Sequence, residues 1–297
     1  MRYLITVVIA AFSLNAFGQV PNYVPSDGLV AWYPFNGDAD DVSGNGNDGV
    51  PENVTLENDR YSIENAAFGF DGVNCCGQPD EIIQRVTIES EFLNLGEDFS
   101  ISCWFKSENI NKFQQCLFNS IPHTGFVVEL NNEHAQDLVS IGLGPGDAYW
   151  DMLYAHGSKN DYIENEWYQA VFIKEGTSYS LFINGTLDWS ESYSFSLNYS
   201  LNVGLTIGSI GGGHQIFNGV LDDYGIWNRA LTETEIQALY NAEIPISGCT
   251  DETACNFDDA ANTDDGSCEY ITPVDLGEDI TTCEETVTLD AGEGYDS

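Results

Sequence analysis

Oxygen-bearing side chains crowd one glycine-rich stretch near the N-terminus. Asn36, Asp38, Asp41 and Asn47 lie in this stretch, and Asp48 follows directly. Carboxylate and amide oxygens are the ligands that calcium prefers. The same residue types also form ordinary turns in glycine-rich loops. The stretch is therefore either a cation-binding loop or a succession of turns, and the choice depends on the elements around it.

A second kind of chemistry, hydrolysis of polysaccharides, would need two acidic side chains close together on one surface. The Glu-x-Asp-x-x-Glu pattern that places acids on one face of a strand does not occur in the sequence. Glu89 and Glu91 alternate about Ser90, but they stand at a predicted strand end and lack a third acid. No Gly-x-Ser-x-Gly elbow occurs, and the four histidines show no metal-ligand spacing. We therefore predict no catalytic residues and a protein that is not an enzyme.

Aromatic and polar side chains meet in glycine-rich loops at two places. Tyr149 and Trp150 follow the segment 144–147, and His214 and Gln215 follow the three glycines at 211–213. Aromatic faces and loop amides can hold sugar rings, although aromatic residues more often pack in cores. We predict these four residues as ligand-binding, and the ligand is either a glycan or a surface protein.

Charge and the N-terminal segment indicate an exported protein. Eight Lys and Arg stand against 48 Asp and Glu, a net charge of −40, which repels phosphate backbones and anionic lipids. Nucleic acid is thereby excluded as a partner. Arg2, the apolar run 4–14 and the small-residue site 16–18 are typical of a signal peptide cleaved before Gln19. No apolar run approaches the length of a membrane span, so the sequence predicts a secreted or cell-surface protein without membrane insertion.

Cysteines in an exported protein are expected to be mostly paired. Cys75 and Cys76 are poor partners for each other because adjacent Cα atoms are too close for ordinary disulfide geometry. One of them is expected to cross-link to Cys103 or Cys116, but the connectivity does not follow from the sequence. The remaining candidates lie in the tail and are Cys249, Cys255 and Cys268; Cys283 is a further cysteine of the tail.

The elements that must position these residues are mainly strands. Short alternating or apolar runs, broken by Gly, Asn and Asp, fill residues 28–228 and indicate an all-β sandwich. The clearest hairpin spans residues 168–183 and is followed by an Asn184-Gly185 turn. One helix is predicted after Leu231, where Thr232 and Glu235 form a capping box.

The tail differs in composition from the sandwich. Residues 248–297 contain 15 Asp or Glu and no Lys or Arg. Segment 248–270 has too few apolar residues to fold by burial alone, so disulfides, calcium or both are expected to hold it. A new strand-like pattern begins at Pro273, and we expect the chain to be part of a larger multidomain protein.

Four stretches, taken in order, resemble a known family. They are GLVAWYPFNG with DVSGNGNDG at 28–49, AFGFDG at 67–72, FING at 182–185, and FNGVLDDY with WNRAL at 217–231. Over residues 27–241 the chain resembles bacterial laminin-G-like domains of the concanavalin A-like lectin/glucanase superfamily. Residues 248–268 resemble a short cysteine repeat of bacterial surface proteins, and the segment from 273 resembles an immunoglobulin-like or polycystic-kidney-disease-type module.

The resemblance implies a jelly-roll β-sandwich of two antiparallel sheets with a structural calcium where the first long loop meets the closing strand. The implied ligands are Asn36, Asp38, Asp41, Asn47 and, from the closing strand, Asp222 with Asp223 beside it. Such a cation would bridge the first and last strands.

These observations together predict four segments: a signal peptide (1–18), a sandwich (19–243), an acidic cysteine-containing linker (244–271) and the start of an Ig/PKD-like module (272–297). The predicted function is a non-catalytic, calcium-stabilised extracellular recognition or adhesion module. The alternative is a carbohydrate-targeting accessory domain of a polysaccharide-degrading enzyme whose catalytic module lies outside this chain.

Overall fold

The computed structural model describes most of the chain between residues 20 and 270. The described ranges are 20–73, 82–88, 98–120, 125–132, 135–144, 153–195, 197, 204–210, 213–242, 246–259, 261, 263–264 and 266–270. The chain divides into two compact units, Met1–Pro245 and Ile246–Ser297.

The first unit contains two antiparallel sheets. The first sheet has eight strands. They are β1 (Leu29–Tyr33), β3 (Thr55–Glu57), β4 (Ala67–Asp71), β6 (Phe99–Ser107), β11 (Trp167–Glu175), β12 (Ser178–Ile183), β13 (Thr186–Ser192) and β15 (Asn218–Trp227). Their order is β13-β12-β11-β6-β15-β4-β3, and β1 also pairs with β15.

The second sheet has seven strands in the order β10-β9-β8-β7-β14-β5-β2. They are β2 (Gly49–Glu52), β5 (Arg85–Ile88), β7 (Gln115–Asn119), β8 (Phe126–Asn132), β9 (Ala135–Leu143), β10 (Leu153–His156) and β14 (Leu205–Ile207). Because some neighbouring strands, such as β6 with β15 and β5 with β14, are far apart in sequence, each sheet combines strands from both halves of the first unit.

The core lies between the two sheets and is rich in aromatic residues. Phe99 and Phe172 from the first sheet meet Phe126 from the second, with ring centroids 5.2 Å and 5.3 Å from that of Phe126. All three side chains are fully buried. Aromatic burial of this kind is the main favourable term that holds two sheets face to face. The predicted all-β, jelly-roll sandwich is confirmed.

The predicted hairpin and turn are also present. Strands β11 and β12 pair antiparallel, and the turn that follows places Asn184 at φ 49° and Gly185 at φ 72°. Two successive positive φ angles are what an Asn-Gly turn accommodates. A side chain at Gly185 would in addition lie 2.9 Å from Gln237 Nε2, so the position favours glycine for two reasons.

The helix α1 (Glu233–Tyr240) begins where the capping box predicts. Thr232 accepts a hydrogen bond from the Glu235 backbone N–H, and the Glu235 side chain accepts one from the Thr232 backbone N–H. Ile236 and Leu239 are buried in a second apolar cluster with Trp227, on the outer face of the first sheet. The helix therefore covers that face, and the outer face of the second sheet is left as the other broad surface of the sandwich.

The described part of the tail is short and held by a disulfide. Strand β16 (Ser247–Gly248) pairs in parallel with β17 (Thr263–Asp264), and Cys249 is bonded to Cys268. Cys255 is exposed and unbonded. The candidates Cys75 and Cys76 lie outside the described residues, as do Cys283 and the predicted module from 273 onward. No helix among the described residues is long and apolar enough to cross a membrane.

Candidate binding face

Polar side chains occupy the outer face of the second sheet. Each of its five central strands carries a polar residue whose neighbour in the strand belongs to the core between the sheets. Because side chains alternate along a strand, these polar residues point away from the core. They define what we call the polar face: Thr87 on β5, Asn119 on β7, Glu129 on β8, Ser140 on β9 and Thr206 on β14.

The register places these residues side by side. Thr206 lies opposite Thr87 on one neighbouring strand and opposite Asn119 on the other. Glu129 lies opposite Ser140. Asn119 Nδ2 donates to Thr206 Oγ1 at 3.3 Å, and Ser140 Oγ donates to the Glu129 carbonyl at 3.3 Å. The five side chains thus belong to one continuous surface.

The polar face is shielded from solvent, although it lies outside the core. Glu129 is 1% exposed, Ser140 is fully buried and Asn119 is 3% exposed. Asn132 Nδ2 donates to Glu129 Oε1 at 2.9 Å and to Ser140 Oγ at 2.6 Å. The outer face of an antiparallel sheet is usually solvated. The polar face departs from this rule, because its side chains are hydrogen-bonded to one another and covered.

One loop rests on this face and brings two further polar residues to it. The Ser209 carbonyl accepts a hydrogen bond from Thr206 Oγ1 at 2.9 Å, and the Gln215 carbonyl accepts one from the backbone N–H of Cys116 at 2.9 Å. Ser209 is fully buried and Gln215 is 8% exposed. Gln215 was predicted from sequence as a ligand-binding residue, whereas Ser209 was not.

Three buried oxygens on and beside the polar face have no hydrogen-bond partner in the part of the chain that the structure describes. They are Thr87 Oγ1, Ser209 Oγ and Gln215 Oε1. Buried polar atoms in native proteins are nearly always hydrogen-bonded, to protein, water or ligand. Three such atoms on and beside one face of a sheet are therefore unusual, and they single out this region of the second sheet.

The other predicted ligand-binding residues are placed less centrally. His214 is exposed and forms an isolated bridge with Ile210. Tyr149 and Trp150 lie outside the described residues. The sequence signal that was missed is the alternation in β5, where Val86 and Ile88 enter the core and Thr87 is left on the other face.

The acidic loop that was predicted to bind calcium, residues 36–48, is organised by its own hydrogen bonds. The Asp41 carboxylate accepts from the backbone N–H groups of Trp32 (3.0 Å), Ser43 (2.9 Å) and Asn47 (3.0 Å). Asn47 Nδ2 donates to the Val30 carbonyl at 2.7 Å. Asp41 and Asn47 therefore act as turn-forming residues that fasten the loop to β1.

Several acids of this loop interact electrostatically. Asn36 and Asp38 are exposed, and Asp48 accepts a hydrogen bond from the Asp41 backbone N–H at 2.9 Å. The negative charge of Asp38, followed by partial burial and the charge of Asp48, raises the pKa of Asp40 above its ordinary value. A bound cation would relieve this like-charge repulsion, so the chemistry of the loop suits a cation.

Asp222, the predicted ligand from the closing strand, is engaged elsewhere. Its Oδ2 lies 3.7 Å from Arg60 Nη1, and the same guanidinium contacts the Asp223 carboxylate. Arg60 in turn lies 4.6 Å above the ring of Trp104. Burial, followed by the charge of Asp223, raises the pKa of Asp222, and the charge of Arg60 lowers it. The guanidinium thus supplies the positive charge that the sequence interpretation gave to calcium at this position.

The predicted ligands therefore do not gather into one cluster. Among the described residues, no group of three or more His, Cys, Asp or Glu side chains is arranged to hold a metal ion. The loop residues fit a cation by their chemistry, and Asp222 does not fit because it is paired with Arg60. Calcium binding stays a prediction.

The acids that face outward on the second sheet do not form a hydrolytic pair. Glu129 on β8 and Glu52 on β2 are four strand steps apart, which corresponds to about 19 Å at ~4.8 Å per step. Paired carboxylates in glycosidases stand about 5 to 9.5 Å apart. Glu52 is moreover paired with Arg85. These two residues cannot together perform two-carboxylate catalysis.

The two sandwich cysteines that the structure describes do not form the expected cross-link. Cys103 and Cys116 are both buried free thiols. Burial raises the pKa of the Cys103 thiol to about 12 and that of Cys116 well above its ordinary value. Thiols with raised pKa are poor nucleophiles and poor metal ligands. Cys103 is a small residue of the core between the sheets, whereas Cys116 lies opposite Glu129 on the second sheet.

Two antiparallel sheets packed face to face, with one short helix on the outer face of the first sheet, form a concanavalin-like jelly roll. The chain belongs to the concanavalin A-like lectin/glucanases superfamily, whose Laminin_G_3 family model matches residues 83–237, or 155 of its 297 residues. None of the curated proteins compared with the sequence matches it.

Solved structures share the fold at low sequence identity. The binding domain of Paraclostridial Mosquitocidal Protein 1 superposes with a TM-score of 0.56 at 21% identity, covering 73% of this chain and 52% of that chain. The binding domain of Botulinum neurotoxin DC in complex with rat synaptotagmin II gives a TM-score of 0.54 at 16% identity, with 73% and 52% coverage. This chain thus spans about half the length of these toxin binding domains.

A third structure matches over its whole length. Domain 4 of AbnA, a GH43 extracellular arabinanase from Geobacillus stearothermophilus, in complex with arabinotriose, gives a TM-score of 0.55 at 18% identity. The match covers 72% of this chain and 98% of that domain. The two toxin structures are binding domains by their descriptions.

Proposed function

We propose that this protein is an extracellular, non-catalytic recognition module that binds carbohydrate through the polar face. The observation that carries the proposal is a shielded polar surface beside which three buried oxygens, on Thr87, Ser209 and Gln215, have no hydrogen-bond partner among the described residues. Sugar hydroxyl groups both donate and accept hydrogen bonds, so they match hydroxyl and amide side chains of this kind. A surface protein is the other partner class, in keeping with the complex of the neurotoxin domain with synaptotagmin.

A second candidate places the same module within an enzyme. The full-length likeness to domain 4 of an extracellular arabinanase favours a carbohydrate-targeting accessory domain whose catalytic module lies outside this chain. Both candidates use the polar face in the same way. They differ in whether a hydrolase is joined to the module, and only the complete protein distinguishes them.

Export and a multidomain setting are part of the proposal. The disulfide between Cys249 and Cys268 is typical of an oxidising compartment, and it agrees with the signal peptide predicted at 1–18. The acidic tail would then link the sandwich to further surface modules.

Calcium enters the proposal through the acidic loop alone. There the charges of Asp38 and Asp48 raise the pKa of Asp40, and a cation near the loop would offset this repulsion. Such a cation would fasten the loop rather than join it to β15.

The direct test is a glycan array probed with the purified protein, with and without chelator. We expect binding to a restricted set of oligosaccharides and no release of reducing sugar from any of them. Binding to proteins but to no glycan would contradict the carbohydrate proposal, and release of reducing sugar would contradict the non-catalytic one.

A further inference from the structure

Basic residues are few in this protein, and those that the structure describes are all engaged by other groups of the chain. Eight Lys and Arg face 48 Asp and Glu, and seven of the eight lie in the described residues. Their contacts are Arg60 with Asp222 and Asp223, Arg85 with Glu52, Lys106 with the ring of Trp167, Lys112 with the Ile216 carbonyl, Lys159 with Asp161, Lys174 with the Gly176 carbonyl, and Arg229 with Glu235 and Asp27.

Basic residues are also few, and paired, in the second sheet, which bears the polar face. Within its seven strands, all described, Arg85 is the only Lys or Arg. Arg85 pairs with Glu52 directly across the β2–β5 register, and both side chains are partly exposed at the sheet margin. The oxygens of Thr87, Ser209 and Gln215 belong to uncharged side chains, and the one charged side chain among the five residues of the polar face, Glu129, is an acid.

Anionic sugars make demands that this surface does not meet. A carboxylate or sulfate group held in a shielded site is best compensated by a cation, because an uncompensated buried charge is costly. Proteins supply such recognition chiefly with arginine. A net charge of −40 additionally lowers the local concentration of any anion near the surface.

From this arrangement we infer that the polar face selects uncharged oligosaccharides and rejects those that carry uronate, sialate or sulfate groups. The inference rests on the proposed carbohydrate-binding function. The ligand class is inferred from the net charge of the protein and from the contacts of its Lys and Arg side chains. Neither observation depends on the oxygens of Thr87, Ser209 and Gln215.

The test uses the whole protein and a panel of matched oligosaccharides, each present in a neutral form and in a form with one carboxylate or sulfate added. We expect the neutral member of each bound pair to bind at least about tenfold more tightly, the size of effect that one uncompensated charge produces. Equal or tighter binding of the charged members would overturn the inference and leave the proposed function intact. Binding to no glycan at all would overturn both.

A matched pair of variants tests whether the pairing of Arg85 with Glu52 contributes to the rejection of charged oligosaccharides. Glu52→Gln removes the partner of Arg85 at the margin of the polar face, and Glu57→Gln removes one negative charge from the exposed strand β3 of the other sheet. We expect Glu52→Gln to bind the charged oligosaccharides about two- to fivefold more tightly than wild type, with Glu57→Gln unchanged. An equal gain in both variants, or none in either, would contradict the role given to Arg85.

Discussion

Arg60 and Asp222 face each other across 3.7 Å, beneath the outer surface of the first sheet, with 5% and 3% of their side chains exposed. Asp223 completes the group and contacts the same guanidinium. The closing strand β15 is thus paired with a positively charged side chain of the same protein, that of Arg60. This relationship fastens the segment that follows β3 to β15 and replaces, at this point of the fold, the bridging cation that the sequence suggested.

Loss of Arg60 should strongly destabilise the fold. Arg60→Met leaves Asp222 and Asp223 buried without a cation, and we expect the free energy of unfolding to fall by about 3 to 5 kcal/mol. Burial already raises the pKa of Asp222, so the variant should regain stability as the pH is lowered and the carboxylates take up protons. Urea unfolding at several pH values measures both effects.

The control for this variant is Arg85→Met, because Arg85 and Glu52 have 25% and 39% of their side chains exposed. Such a pair contributes about 1 kcal/mol or less. A loss in Arg60→Met no larger than that in Arg85→Met would show that the buried group does not depend on its cation.

Because of the ion pair between Arg229 and Glu235 at the start of α1, we expect the free energy of unfolding to fall at acidic pH. Hydrogen bonds from Arg229 lower the pKa of Glu235 from 4.5 to about 2. Because the folded-state pKa is the lower one, this carboxylate stabilises the fold above pH 4.5, and the contribution is lost as the pH falls towards 2. Glu235→Gln should cost on the order of 1 kcal/mol at neutral pH, since the pair is partly exposed and also caps the helix.

The measurement is the difference in stability between wild type and Glu235→Gln as a function of pH, with Glu233→Gln in the same helical turn as control. The difference should shrink below pH 4.5 and vanish near 2. A difference that stays constant across this range would mean that the charge of Glu235 is not responsible.

Chelation tests the acidic loop. We expect calcium to raise the melting temperature of wild type and EDTA to lower it, because a cation would offset the repulsion among Asp38, Asp40 and Asp48. Asp48→Asn should abolish the response. Arg60→Lys, which keeps the charge beside Asp222, should retain it. A wild-type melting temperature that ignores both calcium and chelator would exclude the loop as a calcium site.

Much of the fold follows from local sequence. Alternating runs predict the strands, Asn184-Gly185 predicts its turn, and the capping box at Thr232 predicts the start of α1 to the residue. Each of these signals is contained in a few neighbouring residues, where propensity and hydrogen bonding act directly.

The functional surface was harder to predict because it depends on strand order. Thr206 meets Asn119 across 87 positions and Arg60 meets Asp223 across 163, and no local pattern encodes either encounter. Gln215 was identified by its place in a glycine-rich loop, whereas Thr87 and Ser209 resemble ordinary strand and turn residues until the register is known. Sequence reasoning placed Asp222 in a metal site for the same reason, since its partner lies far away in the chain.

Thr87→Val tests whether the polar face binds a glycan. Its Oγ1 has no partner among the described residues, so replacement by the nearly isosteric valine should leave the free energy of unfolding unchanged or slightly raised. Thr55→Val, on the exposed strand β3 of the other sheet, is the matched control.

The decisive measurement is calorimetric titration of wild type, Thr87→Val and Thr55→Val with the tightest-binding oligosaccharide from the array. We expect the dissociation constant of Thr87→Val to be about two- to tenfold higher than that of wild type, because one hydrogen bond to the glycan is lost. The dissociation constant of Thr55→Val should not change. Equal dissociation constants for all three proteins would contradict a binding site on the polar face.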